Sequence, residues 1–288
     1  MKVLILVDHC NLLYRAYFSS KRECPIKPWL PVLRYIDMLR LSIQRIKNLY
    51  SKEEELKVEF LFAGESKTKL DRTKIDETYK SKRVPITDPY FKTFRKIMPK
   101  VLKLCGWEVV DCDGAEADDI IATMVAKHRE KKIFIFSNDR DLRQCLVFPD
   151  VVIYQQPGIF YNEVQFAKEY GFDPGFFLYF KALVGDRSDN IPGVNGWGPQ
   201  KAKKHILAGD WENQLTEEER PTYQTALHLV SLNFELDCSG IVPKKLKRSV
   251  VDTLRLLEML DVEENVKEIY STEAFEEIGL AVARMSAA

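Results

Sequence analysis

The sequence predicts a mixed α/β protein with a mostly parallel central sheet flanked by helices, and two observations lead to this fold class. Short apolar runs rich in Val, Ile and Phe alternate with longer segments of helical length. Such alternation is typical of parallel sheets whose connections cross over as helices. In addition, 288 residues with 45% hydrophobic content suffice to bury a core, which excludes disorder as the main state.

The predicted elements fall into two parts. Buried strands are predicted at Lys2–Val7, Lys57–Ala63, Trp107–Val110, Lys132–Ser137 and Val151–Tyr154. Crossover helices are predicted at Pro31–Tyr50, Pro89–Leu104 and Ala115–Glu130. Beyond about residue 160 the strand pattern stops, and helices are predicted at Asn162–Tyr170, Pro174–Val184, Pro199–Leu207, Glu217–Leu232 and Val250–Leu260. We therefore expect an α/β core over residues 1–160 and a helical part over residues 161–288.

The charges are balanced in number but separated along the chain. Lys plus Arg and Asp plus Glu both total 43. Residues 66–103 nevertheless carry twelve cations against four acids, whereas residues 108–119 carry six acids and no cation. The six cysteines form no C-x-x-C pair, and no apolar run approaches the length of a membrane span. We expect a soluble cytoplasmic monomer with reduced thiols and no membrane partner.

Nine acidic residues follow predicted strands or lie in one turn-rich loop. They are Asp8 after the first strand, Glu65 after the second, Glu116, Asp118 and Asp119 after the third, Asp139 and Asp141 after the fourth, and Asp186 and Asp189 in the loop. Ligands bind outside the carboxyl ends of parallel strands, so we expect these carboxylates to converge. Their repulsion favours bound cations, and oxygen ligands favour two Mg²⁺ or Mn²⁺ ions. The alternative is that individual acids only cap helices.

Two segments have the composition of a nucleic-acid surface. One is a glycine-rich loop that leads into a basic helix, with Gly193, Gly196, Gly198, Lys201, Lys203 and Lys204 as candidate contacts to DNA phosphates. The other is Tyr79–Arg83, which combines Tyr79, Lys80, Lys82 and Arg83 and follows Glu65 in the chain. Cations interleaved with aromatic rings can hold phosphates and stack bases. An ordinary turn and a solvated helix surface are the respective alternatives.

These motifs resemble those of the 5′ nuclease family, which comprises phage 5′-to-3′ exonucleases, flap endonucleases and the N-terminal nuclease domains of bacterial family-A DNA polymerases. The resemblance runs from Lys2 to about Leu207. The similar stretches are Asp8 with Asn11 and Arg15, Glu116–Asp119, Tyr79–Arg83, Asp139–Gln144 and Gly185–Val194, of which the last is the most specific. Two positions differ from the usual pattern, because Glu65 replaces an Asp and Trp197 replaces a smaller apolar residue.

The resemblance implies a helical arch at about residues 66–90 and a helix-hairpin-helix at about residues 185–208 that holds duplex DNA with a bound K⁺. It implies that Asp8, Glu65, Glu116, Asp118, Asp139 and Asp141 surround one metal ion, and that Asp186 and Asp189 hold a second with the help of the shared central acids. Asp119 is also among the expected metal-binding residues. Lys80 and Arg83 are expected to contact the scissile phosphate. Arg15, Tyr79 and Lys82 are expected to contact DNA.

The implied activity is structure-selective, metal-dependent hydrolysis of DNA from 5′ ends and at 5′ flaps by a two-metal mechanism. Its place is in replication, where it removes flaps or RNA primers beside a separate polymerase and a single-strand binding protein, in the host cytoplasm if the chain is phage-encoded. Two other classes stay open at this point. One is a non-catalytic DNA-junction binder, and the other is a ribonuclease acting on RNA:DNA primers.

Overall fold

The computed structural model describes residues 1–50, 56–104, 106–155 and 158–245. Its strands form one sheet in the order β3-β2-β1-β4-β5-β6, with β7 paired to β2. The strands are β1 (Lys2–Asp8), β2 (Lys57–Ala63), β3 (Val109–Val110), β4 (Lys132–Phe136), β5 (Val151–Gln155), β6 (Ile159–Tyr161) and β7 (Lys244–Lys245). β1 to β5 run parallel, whereas β6 and β7 pair antiparallel with their neighbours.

Helices connect and cover this sheet. They are α1 (His9–Ser20), α2 (Leu30–Leu49), α3 (Arg72–Ile75), α4 (Pro89–Leu104), α5 (Ala117–Lys127), α6 (Glu163–Tyr170), α7 (Phe177–Val184), α8 (Pro199–Ala208) and α9 (Arg220–Val230), with 3₁₀ turns at Asp141–Val147 and Pro174–Phe176. Among the helices of the described ranges, none combines the length and the apolarity needed to cross a bilayer.

The central strand β1 sets the position of the acidic residues. Its residues Val3–Val7 are fully buried, because helices cover both faces of the sheet. β1 is in parallel register with β2 and β4, so that Asp8 lies opposite Ala63 and Val7 lies opposite Phe136. All three strands therefore end at one edge, and the residues that follow them emerge together.

The two faces of the sheet carry different helices. Val3, Ile5 and Val7 of β1 point into a core shared with α1, α2 and α4, whereas Leu4 and Leu6 point into a core shared with α5, α7, α8 and α9. The second core joins both parts of the chain, since Phe177 and Ile206 pack in the same cluster as the strand residues. The residues after 160 are thus anchored on the sheet that carries the acids.

Three features differ from the sequence expectations. Helix α1 was not predicted; it begins directly after β1, where the Asp8 side chain caps it by accepting a hydrogen bond from the Asn11 backbone N–H at 2.9 Å. The expectation that strands end near residue 160 was wrong, because β7 adds an antiparallel pairing to β2. In the segment expected to form a helical arch, the structure has one short helix, α3, and turns. The helix predicted at Val250–Leu260 lies outside the described residues.

Candidate functional site

Asp8 lies at the centre of the sheet edge where β1, β2 and β4 end, which is called the acidic edge below. It is 5% exposed and accepts hydrogen bonds from the Asn11 backbone and, at 2.8 Å, from the Ser137 hydroxyl. Burial raises the pKa of Asp8 to about 7 against these two hydrogen bonds, and the nearby charges of Asp139 and Glu65 act in the same direction as burial. Asp8 is therefore a carboxylate whose surroundings lack positive charge.

Four more predicted acids lie close enough to Asp8 to act on one another. Burial raises the pKa of Asp118 well above its ordinary value, and the charges of Asp139, Asp8, Asp141 and Glu65 raise it further. Burial also raises the pKa of Glu65, which Lys80 and Arg83 partly offset. The sheet edge thus brings together Asp8, Glu65, Asp118, Asp139 and Asp141. Glu65, which departs from the usual Asp, belongs to this cluster.

Asp186 joins the cluster through a lysine that the sequence reasoning missed. The Lys181 ammonium lies 2.6 Å from Asp186 Oδ2 and also pairs with Asp141, although its residue is only 8% exposed. Burial acts to raise the pKa of Asp186, but Lys181 and Ser188 lower it to about 2. Lys181 is on α7, one turn before the acidic loop, in an apolar stretch that gave no reason to single it out.

Glu116 and Asp189 are paired with the cationic segment Tyr79–Arg83. Lys80 pairs with Glu116, and Arg83 Nη2 lies 2.6 Å from Asp189 Oδ1. The Lys80 backbone N–H also donates to the Asp189 carbonyl at 2.9 Å. The two cations predicted to contact a phosphate therefore neutralise two of the predicted metal ligands.

The expectation that Tyr79 offers a ring for base stacking does not agree with the structure. Tyr79 is 6% exposed, and its hydroxyl donates to Glu116 Oε2 at 2.7 Å. Its ring packs in the core beneath the sheet edge, so its hydroxyl positions a carboxylate. The pattern of cations and aromatic residues could not distinguish these two uses of a tyrosine.

Asp119 is also placed differently from the prediction. Both of its oxygens receive the Arg72 guanidinium, at 2.7 and 2.8 Å, and they accept further hydrogen bonds from the Glu116 and Asn233 backbone N–H groups. Arg72 also donates to the Ser231 carbonyl at 2.6 Å. Asp119 therefore supports the start of α5 and the chain after α9, and Arg72, which also pairs with Glu116, neutralises its oxygens. Arg72 was counted in the basic segment but its role was not foreseen.

A cleft of about 620 Å³ opens beside these acids. Its lining includes Asn11, Asp139, Asp141, Asp186 and Pro199. Arg15 lies beside the cleft, since its Nη1 donates at 2.6 Å to Oδ1 of Asn138, which also lines the cleft. The cleft therefore connects the acidic edge with the first residue of α8, where the glycine-rich loop ends.

The three glycines of that loop differ in whether the structure requires a glycine at that position. A Cβ atom on Gly193 would lie 2.2 Å from the Val184 carbonyl oxygen, so backbone packing requires glycine there. Gly196 has a φ of +70°, which favours glycine, and has open space around it. Gly198 has a φ of −74° as the N-cap of α8 and also faces open space, so neither strain nor packing requires a glycine there.

The three predicted lysines of α8 differ in their contacts and in their exposure. Lys201 Nζ lies 4.2 Å from the centre of the Trp197 ring, which is a cation–π contact with the buried tryptophan. Lys203 is half-buried beside Gly171, whereas Lys204 is exposed. Lys82, in the other cationic segment, is exposed as well.

The donors of the acidic edge suit hard divalent cations by their chemistry. All of them are carboxylate oxygens, and the raised pKa values of Asp8 and Asp118 indicate a local deficit of positive charge. Among the described residues, no three His, Cys, Asp or Glu side chains are arranged closely enough to hold an ion as they stand. Lys80, Arg83 and Lys181 occupy the oxygens of several of these acids instead.

Comparison with known proteins places the chain in a family. The family model described as the 5′-3′ exonuclease N-terminal resolvase-like domain matches residues 3–171. A 5′-3′ exonuclease of Aquifex aeolicus is 29% identical over 284 residues, which cover 93% of this chain and 96% of that protein. The thermostable DNA polymerase I of Thermus caldophilus is 30% identical over 247 residues, which cover 83% of this chain but 28% of the polymerase.

Solved structures share the fold. The T5 D15 protein, co-crystallised with metal ions, superposes with a TM-score of 0.60 at 18% identity and 99% coverage of both chains. The T5 D15 flap endonuclease in a pseudo-enzyme-product complex with DNA and metal ions gives a TM-score of 0.55 at 17% identity, covering 99% of this chain and 100% of that chain. At this level of identity the likeness establishes the architecture.

The fold and its acidic sheet edge, together with these matches, define a hydrolytic nuclease. The family match extends over more than half of the sequence. The chain therefore belongs to the 5′-3′ exonuclease family.

Replacing Gly193 by alanine is expected to destabilise the protein by about 2–4 kcal/mol, because the new Cβ has to displace backbone rather than a flexible side chain. Gly198→Ala is the matched control in the same loop, with an expected cost of about 1 kcal/mol or less since its Cβ enters open space. Chemical denaturation of both variants measures the difference. Equal stability of the two variants would contradict the packing of Gly193 against Val184.

Asp118→Asn is expected to stabilise the protein at pH 8 by about 1 kcal/mol in the presence of chelator, because it removes a crowded negative charge. The raised pKa means that the folded state favours the protonated carboxyl, so the contribution of Asp118 becomes unfavourable as the pH rises through that pKa. The gain should therefore shrink toward pH 4. Urea unfolding at both pH values provides the measurement, and a gain that is larger at pH 4 would refute the assignment.

Proposed function

We propose that the protein is a structure-selective, divalent-metal-dependent DNA nuclease that hydrolyses phosphodiesters from 5′ ends and at 5′ flaps. The observation that carries this proposal is the meeting of carboxylates from separate strand ends at one sheet edge, beside a cleft and a cationic segment. Membership of the 5′-3′ exonuclease family supports it. So does the fold shared with the T5 D15 flap endonuclease, which was crystallised with DNA and metal ions.

Two Mg²⁺ or Mn²⁺ ions are the proposed cofactors. A pair of such ions stabilises the attacking and the leaving oxygen of a phosphodiester hydrolysis. The residues proposed to hold the first ion are Asp8, Glu65, Glu116, Asp118, Asp139 and Asp141, and those for the second are Asp186 and Asp189 with help from the first group. Asp119 is not included, because its oxygens are used by Arg72 and two backbone N–H groups.

We propose two roles for the cations of the site, which are to contact the substrate phosphate and to pair with the acids. Lys80 and Arg83 pair with Glu116 and Asp189 in this structure, and they would contact the scissile phosphate when those acids hold a metal ion. Lys181 holds Asp141 and Asp186 close together and acts against the effect of burial on both pKa values, although burial still leaves the pKa of Asp141 raised. Tyr79 orients Glu116 through its hydroxyl. The chain itself thus supplies positive charge both to the acids and to the proposed substrate.

The loop 185–198 and α8 are proposed to hold duplex DNA. The open surroundings of Gly196 and Gly198 leave room for a sugar-phosphate backbone at the helix start, and Lys204 adds an exposed cation nearby. A K⁺ ion in this loop belongs to the same proposal. Arg15 and Lys82 would contact the DNA nearer the acidic edge. In the cell, we propose removal of 5′ flaps or RNA primers during replication, beside a separate polymerase.

The direct test uses end-labelled 5′-flap, nicked and RNA-primed duplexes, each incubated with Mg²⁺, with Mn²⁺ or with chelator. We expect cleavage at flaps and 5′ ends that depends on the divalent ion. Tight binding without products in Mg²⁺ would favour the junction-binding alternative. Products from the RNA segment alone would favour the ribonuclease alternative.

Asp118→Ala is expected to reduce cleavage below detection while flap binding in chelator stays within about threefold, because binding relies on cations elsewhere. Asp111→Ala is the matched control, since Asp111 pairs with Lys67 at 2.8 Å outside the cluster. Single-turnover cleavage and fluorescence anisotropy give the two readouts. Turnover of Asp118→Ala at the wild-type rate would exclude Asp118 from the site.

Lys80→Ala is expected to lower kcat by about 10²- to 10³-fold, the range for loss of an electrostatic donor at a developing charge. Lys74→Ala serves as the control, because Lys74 is in the same segment but pairs with Asp71 at the surface. The control should stay within about twofold of wild type. Equal effects from the two lysines would show that only the general charge of the segment matters.

A further inference from the structure

Helix α4 carries an unusual distribution of charge. Its sixteen residues include five cations and no acid. Lys92, Lys96, Lys100 and Lys103 recur at intervals of four, four and three residues, so they form one stripe along the helix, with Arg95 beside it. This set, Lys92, Arg95, Lys96, Lys100 and Lys103, is called the α4 stripe below. Like charges at this spacing repel one another and destabilise a helix.

The α4 stripe faces away from the core. The opposite side of the helix is buried through Phe91, Phe94, Ile97, Met98 and Val101. Lys92, Arg95 and Lys96 are exposed, and within the described part of the chain they form no ion pair with an acid. Neither helix stability nor packing therefore accounts for Lys92, Arg95 and Lys96, and these three cations point to an external polyanion.

The stripe begins near the acidic edge. Phe91, in the first turn of α4, stacks on Tyr14 of α1 at a ring separation of 5.2 Å and packs on Tyr17 at 5.0 Å. Since α1 begins directly after Asp8, these ring contacts bring the first turn of α4 toward the acidic edge. A strand that leaves the acidic edge on this side meets Arg95 and Lys92 first.

An exposed aromatic ring lies on α1, the helix that packs on the first turn of α4. Phe18 of α1 is 56% exposed, and Lys21 Nζ lies 5.8 Å from its ring centre. Exposed rings beside a row of cations suit unpaired bases and their phosphates, because every base has a face that can stack. An acidic polypeptide would use the cations but has no bases to stack on Phe18. A single-stranded nucleic acid therefore fits the surface better.

We propose that the α4 stripe and Phe18 form a track for the single-stranded 5′ segment of the substrate, outside the acidic site. From Lys92 to Lys103 the stripe extends for about 16 Å at ~1.5 Å per residue. That length matches about five stacked nucleotides at ~3.4 Å each. This inference rests on the proposed action at 5′ flaps and adds which surface receives the flap.

The test compares binding and cleavage of flap duplexes with 5′ flaps of about 2 and about 16 nucleotides. The variant is Lys92→Glu/Lys96→Glu. The matched control is Lys127→Glu/Lys168→Glu, which makes the same change in net charge on α5 and α6, against the other face of the sheet. Thermal unfolding of both variants verifies that they are folded. Binding is measured by anisotropy in chelator over a range of salt concentrations.

We expect wild type and control to bind the long flap more tightly than the short one, and this ratio of affinities is called the length increment below. The stripe variant should lose about tenfold in affinity for the long flap, with a salt dependence reduced by about two counterions, and stay within about twofold on the short flap. Loss of the same size on both flaps, or retention of the length increment, would overturn the proposal. Phe18→Ala should reduce the increment without changing the salt slope.

Cleavage separates this inference from the proposed function. The short flap should be cut at the wild-type rate by the stripe variant in Mg²⁺. If wild type cuts neither flap, the proposed activity fails, yet a length increment that depends on the stripe still supports the track. If both flaps are cut normally by the stripe variant and bound with wild-type affinity, the activity stands and the track is refuted.

Discussion

The parallel register of β1, β2 and β4 imposes the central constraint on this molecule, because it places several carboxylates at one partly buried edge. Ionised groups are costly to bury unless they are paired. The chain meets this requirement with cations from distant segments. Lys181 comes from α7, Lys80 and Arg83 come from the segment after β2, and Arg72 comes from α3. The site can form only when all these parts are assembled.

The compensation is uneven, and this unevenness divides the acids into two groups. Asp119 and Asp189 have arginine partners at hydrogen-bonding distance, and Asp186 has its pKa lowered by Lys181 in spite of burial. Asp8 and Asp118, nearer the end of β1, have raised pKa values. The deficit of positive charge is thus concentrated where the strands end. A divalent cation held by Asp8 and Asp118 would relieve that deficit without displacing Lys80 or Arg83, because those cations pair with Glu116 and Asp189.

Much of this arrangement could be predicted from the sequence, because buried strands and the acids after them are visible in one dimension. The edge at which Asp8, Glu65 and Asp139 meet follows from parallel strand order alone. The roles of Tyr79 and Asp119 do not, since they depend on which way a side chain turns. A tyrosine beside cations looks the same whether its ring is exposed or its hydroxyl supports Glu116. Lys181 was equally hidden, because its partners Asp141 and Asp186 become neighbours only in three dimensions.

The formal net charge of zero conceals two surfaces that are both unfavourable for the free protein. The acidic edge carries carboxylates with insufficient counter-charge, and α4 carries five cations and no acid. If stability alone had shaped the chain, pairing these charges within it would have lowered the cost of both. Keeping them apart leaves each surface available to a ligand of opposite sign. A nucleic acid together with hard cations is a ligand set that satisfies both, since its phosphates neutralise the helix while the cations neutralise the carboxylates.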